Sequence, residues 1–179
     1  MNAAPKIRPE PLGLKVAEVS SALGPMVICG DESAIYLVEF QDRRKLGDQF
    51  EGLRRRLGAS ISPGTSPAIE RMGCELASYF ASGLWKFETP VRLSGTAFQE
   101  RVWGALRDIP SGQTCAYGEV ARKVGSPTAV RAVARAIGQN RLAIVIPCHR
   151  VLGANGQLTG YAEGLWRKRT LLSHEQSTG

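Results

Sequence analysis

The chain has 179 residues, with 23 Lys+Arg against 16 Asp+Glu and a formal charge of +7. At 43% hydrophobic and 22% charged it reads as globular, neither disordered nor fibrous, and it is long enough to bury a core without covalent staples. It has no apolar run of bilayer length and no signal core in residues 1–11. Its four dispersed cysteines (Cys29, Cys74, Cys115, Cys148) and two histidines form neither a disulfide framework nor a zinc finger, so a reducing intracellular compartment is expected.

In chain order, Met1 to Leu14 is Pro-rich and reads as a loose arm. Pro25–Cys29 and Ala34–Phe40 are apolar or alternating runs separated by Gly30-Asp31-Glu32, a hairpin signal. Arg43 to Leu57 spaces Leu46, Phe50, Leu53 and Leu57 three and four apart, which predicts a helix with a charged outer face. Ala59 to Ser66 reads as a loop. Pro67 to Ser82 reads as a second helix, with Ser66 as N-cap and Pro67 at the first helical position. Gly83 to Gly95 is extended and carries Pro90, and we place a domain boundary there: 1–92 and 93–179.

The second part is predicted to be helical with short loops. Thr96 and Gln99 form a capping box, and Phe98, Val102 and Leu106 give a helical stripe to about Arg107. Tyr117 to Val124 is a short helix ended by Gly125. Ser126-Pro127 starts another, Thr128 to Ile137, ended by Gly138. Two short helices around a Gly-Ser-Pro turn are a helix-turn-helix candidate, although many helical hairpins bind nothing. Arg131 and Arg135 share a face of the second helix among the small Ala129, Ala132, Ala134 and Ala136. That suits a helix in a DNA groove, or simply an Ala-rich helix with arginines in water.

Charge is unevenly spread. Residues 1–100 carry 12 bases and 12 acids, whereas residues 101–179 carry 11 bases and 4 acids. A polyanion partner and a solvated basic face kept for solubility are both readings of that asymmetry.

Leu142 to Ile146 is an apolar, strand-like run that leads into Pro147-Cys148-His149-Arg150. Neighbouring cations would favour a thiolate at Cys148, the nucleophilic form. Side chains that alternate along an extended chain could not share a proton directly, so Cys148 and His149 need a turn or a bridging water. The plain alternative is a buried structural thiol, and the other three cysteines are assigned to it.

Ile146-Pro-Cys-His-Arg-Val151 resembles the active-site motif of the O6-alkylguanine-DNA alkyltransferases, also called methylated-DNA–protein-cysteine methyltransferases. Tyr117, Arg131, Asn140, Gly153, Gly160-Tyr161 and Leu171-Leu-Ser-His-Glu175 stand at the matching distances. The resemblance is strong over 96–175 and weak before that. It implies a ribonuclease-H-like α/β first domain, with an antiparallel sheet and helices, and a mostly helical, winged-helix-like second domain. It also implies a single-turnover, suicidal transfer of an alkyl group, such as methyl, from O6-alkylguanine in double-stranded DNA (and from O4-alkylthymine) to Cys148, with no cofactor and no metal. The base would be flipped out through the minor groove.

In that scheme Arg131 fills the gap in the stack, Ala129, Ala132 and Arg135 face the groove, and Glu175 orients His149, which draws the thiol proton through a water. Tyr117 bonds ring nitrogen N3. The carbonyls of Cys148 and Val151 accept from the exocyclic amine, the Ala162 N–H donates to O6, and Tyr161 and Glu163 line the pocket. Asn140 braces the turn before the cysteine. The resemblance further implies a monomer in solution that gathers in several copies along DNA, no membrane association, and action in the cytoplasm on the nucleoid, or in the nucleus of a eukaryote.

Three positions depart from the family pattern. Arg141 and Ala143 stand where proline is usual or frequent, so the loop is less rigid or Arg141 adds a phosphate contact. Glu163 would narrow the pocket rim or repel the DNA backbone. Two other readings compete: a lesion sensor or helix-turn-helix regulator that does not react, and a hydrolase using a Cys148–His149 dyad. Members that bind lesions without repair carry Trp in place of the cysteine, and Cys148 argues against that.

Overall fold

In the computed structural model, residues 11–82 and 86–177 are described. The strands are β1 (Gly13–Val19), β2 (Met26–Gly30), β3 (Ile35–Phe40), β4 (Ser60–Pro63), β5 (Cys115–Ala116) and β6 (Val151–Leu152). The helices are α1 (Leu46–Leu57), α2 (Pro67–Ser82), α3 (Ala97–Arg107), α4 (Tyr117–Lys123), α5 (Val130–Ile137) and α6 (Leu165–Ser177), with a short 3-10 turn at Cys148–Arg150.

β1 to β4 form one sheet in the order β3-β2-β1-β4. The hairpin of β2 and β3 is present and antiparallel, as is the β1–β2 pair, but β1 and β4 run parallel. The sheet is therefore mixed rather than antiparallel. Two predicted irregular segments are strands. Gly13 and Leu14 belong to β1 rather than to a loose arm, whose first ten residues lie outside the described residues. Ser60–Pro63 forms β4 because its only neighbour is β1; a proline at the sheet's edge costs no ladder bond on the open side.

The helix starts follow local chemistry. Ser66 Oγ accepts from the Ile69 N–H (3.3 Å), capping α2 where expected. Thr96 and Gln99 make the reciprocal capping box of α3, worth about 1 kcal/mol. Lys45 at φ 72° breaks the chain before α1, so that helix starts at Leu46, later than Arg43. α5 starts at Val130 rather than Thr128, because Ser126 to Ala129 close a turn (Ala129 N–H to Ser126 O, 2.9 Å).

One apolar cluster takes Met26, Ile28, Val38 and Phe40 from the sheet, Met72, Leu76 and Tyr79 from α2, Trp103 and Leu106 from α3, and Ile137, Ile146, Cys148 and Leu171 from beyond. A smaller cluster under α1 holds Leu14, Leu37 and Leu53. The open edge of β3 is covered twice: Ile35 bridges to Val91, and Val38 bridges to Leu142. The second bridge (Val38 N–H to Arg141 O and Ala143 N–H to Val38 O, both 2.8 Å) pins the segment leading to Cys148 onto the sheet.

Candidate active site

Leu142 to Ile146 is not a strand. It is a chain of turns, with Ile146 N–H bonded to Leu142 O (2.8 Å) and Ile144 at φ 71°. The buried Asn140 side chain supplies what a strand partner would have supplied. Its Nδ2 donates to Ile146 O (2.9 Å) and Leu142 O (3.3 Å), and its Oδ1 accepts from Leu142 N–H (3.0 Å). Asn140 thus braces this turn, and its Nδ2 also lies 3.2 Å from Cys148 Sγ, a contact the sequence did not signal.

The 3-10 turn at Cys148–Arg150 sets His149 against Glu175. His149 Nε2 lies 2.7 Å from Glu175 Oε1, which assigns the proton to Nε2 and leaves Nδ1 as an acceptor. Nδ1 is buried without a partner. The Glu175 carboxylate also accepts from Tyr79 Oη (2.8 Å) and from Arg150 Nε and Nη2 (2.8 and 2.9 Å). Burial alone would raise its pKa, but the bonds to His149 and Arg150 outweigh that and hold it far below the carboxylate range. Burial is the chief cause that lowers the pKa of His149, so its neutral form is favoured.

Cys148 is buried, and this corrects the expectation that neighbouring cations make it a resting thiolate. Desolvation and the carboxylate of Glu163 push its thiol up to about 12, against the opposing effects of Asn140, Arg43 and Lys168. Ionisation must therefore accompany proton removal. The sulfur faces only about 10 Å³ of free space, about one water's worth, walled by Ile137, Gly138 and residues 160–163. A wider opening of about 340 Å³, bordered by Tyr117, Ala134 and Gly138, shares those walls. A purine reaches Sγ only if residues 160–163 part from the end of α5. Among the described residues, four buried side-chain polar atoms lack partners. Two of them, Tyr161 Oη and Glu163 Oε2, belong to residues that line the space at this sulfur, and a third, His149 Nδ1, belongs to the residue after Cys148.

Glu163 is not a rim residue facing DNA. It is turned inward, with Oε1 3.0 Å from Arg43 Nη1. Arg43 pairs also with Glu39 and donates to Asn140 O and Gly138 O (both 2.9 Å), so it ties both walls of the cleft to the sheet. Tyr117 Oη lies 3.3 Å from Thr159 O, at the mouth. Val151 O accepts from the buried Lys168 Nζ (2.6 Å), and Cys148 O accepts from Val151 N–H, so each retains one lone pair for a ligand. Ala162 lines the cleft. Arg131, Ala132 and Arg135 are exposed on α5 and Ala129 is half-buried before it, but Ala136 packs inward, its carbonyl bonded to Trp103 Nε1 (2.8 Å). Of the cysteines assigned to buried structural roles, Cys29 is buried, Cys115 is half-buried and Cys74 is exposed.

The family model "6-O-methylguanine DNA methyltransferase, DNA binding domain" matches residues 97–177. The methylated-DNA–protein-cysteine methyltransferase of Mycobacterium tuberculosis (strain ATCC 25618 / H37Rv) is 42% identical over 160 residues, which cover 89% of this chain and 90% of that protein. This chain belongs to that family. The protein of the same name from Salmonella typhimurium is 41% identical over 167 residues, covering 92% and 96%. A crystal structure of Mycobacterium tuberculosis OGT in complex with DNA superposes with a TM-score of 0.78 at 38% identity, covering 93% of this chain and 94% of that one.

Three residues of this family member's site escaped the sequence reading: Arg43, Tyr79 and Lys168. Arg43 sits in an Arg-Arg-Lys run that reads as a solvated face, and Tyr79 sits on the apolar stripe of α2. Lys168 lies within Arg167-Lys168-Arg169, with no local mark of burial.

Proposed function

We propose that this protein repairs O6-alkylguanine in DNA by one irreversible transfer of the alkyl group to Cys148. The observation that carries this is the arrangement at one turn: a sulfur at the floor of a cleft, an amide donating to it, and the next residue a histidine with a free acceptor and a carboxylate behind it.

With the purine extruded, Cys148 attacks the alkyl carbon in line. The S–C bond forms, the C–O6 bond breaks, and its electron pair stays with the guanine. The thiol proton passes through a water to His149 Nδ1, and Glu175 stabilises the imidazolium that results. Asn140 Nδ2 supports the developing thiolate, which matters because burial disfavours it. Tyr117 donates to ring nitrogen N3, the Ala162 N–H donates to O6, and the free lone pairs of Cys148 O and Val151 O take the exocyclic amine. Tyr161 and Glu163 wall the pocket. The thioether product is stable, so each molecule acts once.

In the same reading α4 and α5 form a helix-turn-helix within a winged-helix-like part that starts near residue 93. The part before it is ribonuclease-H-like. α5 enters the minor groove with Ala129 and Ala132 against the DNA and Arg135 on its backbone, and Arg131 replaces the flipped base. The protein works as a monomer, with several copies able to gather along DNA, in the compartment that holds the genome. Among the described residues no helix is long and apolar enough to cross a membrane.

Mass spectrometry after incubation with a duplex carrying one O6-methylguanine tests this. One methyl group on Cys148, with activity lost in proportion, is the expected result. Binding with the protein unmodified would make it a sensor, and sustained turnover would make it a hydrolase.

A further inference from the structure

The first hundred residues are neutral in sum, but folding does not spread their charges evenly. Arg44 and Lys45, ahead of α1, and Arg55 and Arg56, in its last turn, come together with Arg141 from the segment after α5. With Arg43 they line a cleft of about 460 Å³ in which Asp48 is the sole carboxylate. Arg43 is consumed by Glu39 and Glu163. None of the other five is in an ion pair among the described residues, and the only hydrogen-bond partner of the Arg141 guanidinium there is Ser94 Oγ at 3.3 Å.

The placement of Arg141 is built into the fold. Its guanidinium lies against α1 at Gly52, where an added Cβ would sit 2.5 Å from Nη2. Any other residue at 52 would push that guanidinium off the helix. A half-buried arginine has thus been given a seat beside like charges: burial lowers its pKa, and Arg56, Arg43 and Arg55 lower it further. Such crowding is unfavourable in isolation and is relieved by an anion.

The cleft also continues the surface of α5. Gln99 and Gln139, joined by a 2.7 Å hydrogen bond, line both it and a neighbouring groove that contains Ala132 and Arg135. At its other side is Ala162, next to the opening over Cys148.

We propose that this cleft is a second DNA contact, which takes the phosphodiester backbone of the strand running on from α5 and makes the N-terminal part a holder of the substrate. The proposal rests on the reading of α5 as the groove-binding helix. Arginine forks suit phosphate oxygens, and a polyanion neutralises several cations in a row where a single carboxylate cannot.

The test is a triple variant, Arg44→Gln, Arg55→Gln and Arg56→Gln, with Arg141→Gln alongside. Fluorescence anisotropy would follow binding to an undamaged duplex, long enough for one molecule with flanks, across a salt series. Each lost phosphate contact removes about 0.9 from the slope of log K against log salt. The triple variant should lose about 2.7 units of slope and at least about tenfold in affinity at low salt. On a duplex trimmed to the α5 footprint the difference should shrink.

An unchanged slope overturns the proposal. So does a variant that binds a single site normally but gathers fewer copies on long DNA, which would make this a surface between copies. Circular dichroism melting checks folding. Should the triple variant not fold, Arg44→Gln and Arg55→Gln are read singly, each expected to remove about 0.9 of slope. The mass measurement on the parent protein reports separately on the transfer. DNA held through the cleft with Cys148 unmodified sinks the function alone, and methyl uptake with unaltered variant binding sinks the cleft alone.

Discussion

Arg43 and Glu163 meet at 3.0 Å across the closed cleft, one from the segment after β3 and the other from the loop beside Cys148. Because Arg43 also holds Gly138 O, the pair fastens the loop to the end of α5 and keeps the sulfur covered.

Glu163→Gln weakens that tie and removes a negative charge that disfavours the thiolate. Alkylation of Cys148 by iodoacetamide should quicken. Each tenfold gain in thiolate is partly offset by a weaker nucleophile, which leaves about threefold in rate. A slower or equal rate would show that the carboxylate neither closes the cleft nor opposes ionisation.

Asn140→Asp retains the acceptor for Leu142 N–H, loses three donor contacts and sets a carboxylate against the sulfur. Transfer should fall by at least about tenfold, since the thiol is held up further, and melting should drop because the buried carbonyls of Leu142 and Ile146 keep only their backbone donors and now face a carboxylate. Normal single-turnover kinetics in this variant would remove Asn140 from the chemistry.

Acid should unfold the protein in two stages. The folded pKa of His149 lies below its ordinary 6.5, so the unfolded chain takes up this proton first and stability declines as pH falls below about 6.5. The folded pKa of Glu175 lies below its ordinary 4.5, so a second decline begins below about 4.5. Melting temperatures between pH 7 and 3 would show both, and Glu175→Gln should flatten the second. A melting temperature unchanged down to pH 4.5 would contradict a buried neutral His149.

Arg131 is exposed on α5 and is read as filling the stack rather than gripping a phosphate. Arg131→Ala should slow methyl transfer by at least about tenfold while altering affinity for undamaged duplex much less. An equal loss in both would make it an ordinary backbone contact.

Elements set by short-range chemistry were readable from the residues alone. The hairpin of β2 and β3, the Ser66 cap of α2 and the Thr96 box of α3 each depend on neighbours within a few positions. β4 was not readable: Ser-Ile-Ser-Pro has the composition of a loop and becomes a strand because β1 lies beside it. Leu142 to Ile146 misled for the opposite reason, since an apolar run looks extended until Asn140 satisfies its carbonyls.

At the site, Cys148, His149, Asn140 and Glu175 were marked by motif and spacing, whereas Arg43 and Tyr79 reach it from about a hundred residues away. No local pattern encodes such a meeting. The protonated state of the sulfur was also missed, because adjacency to cations in sequence says nothing of how much water remains.

The carboxylate of Glu175 gathers bonds from α2, from the 3-10 turn and, weakly, from Gly112 N–H (3.4 Å). A proteolytic cut in α6 ahead of that residue would do more than take away the partner of His149. It would strand Arg150 with no counter-charge in the interior, a penalty of about 3–5 kcal/mol, comparable to a small domain's whole margin of stability. A clipped molecule would therefore collapse rather than linger on damaged DNA as an inert cap that shields the lesion from other repair.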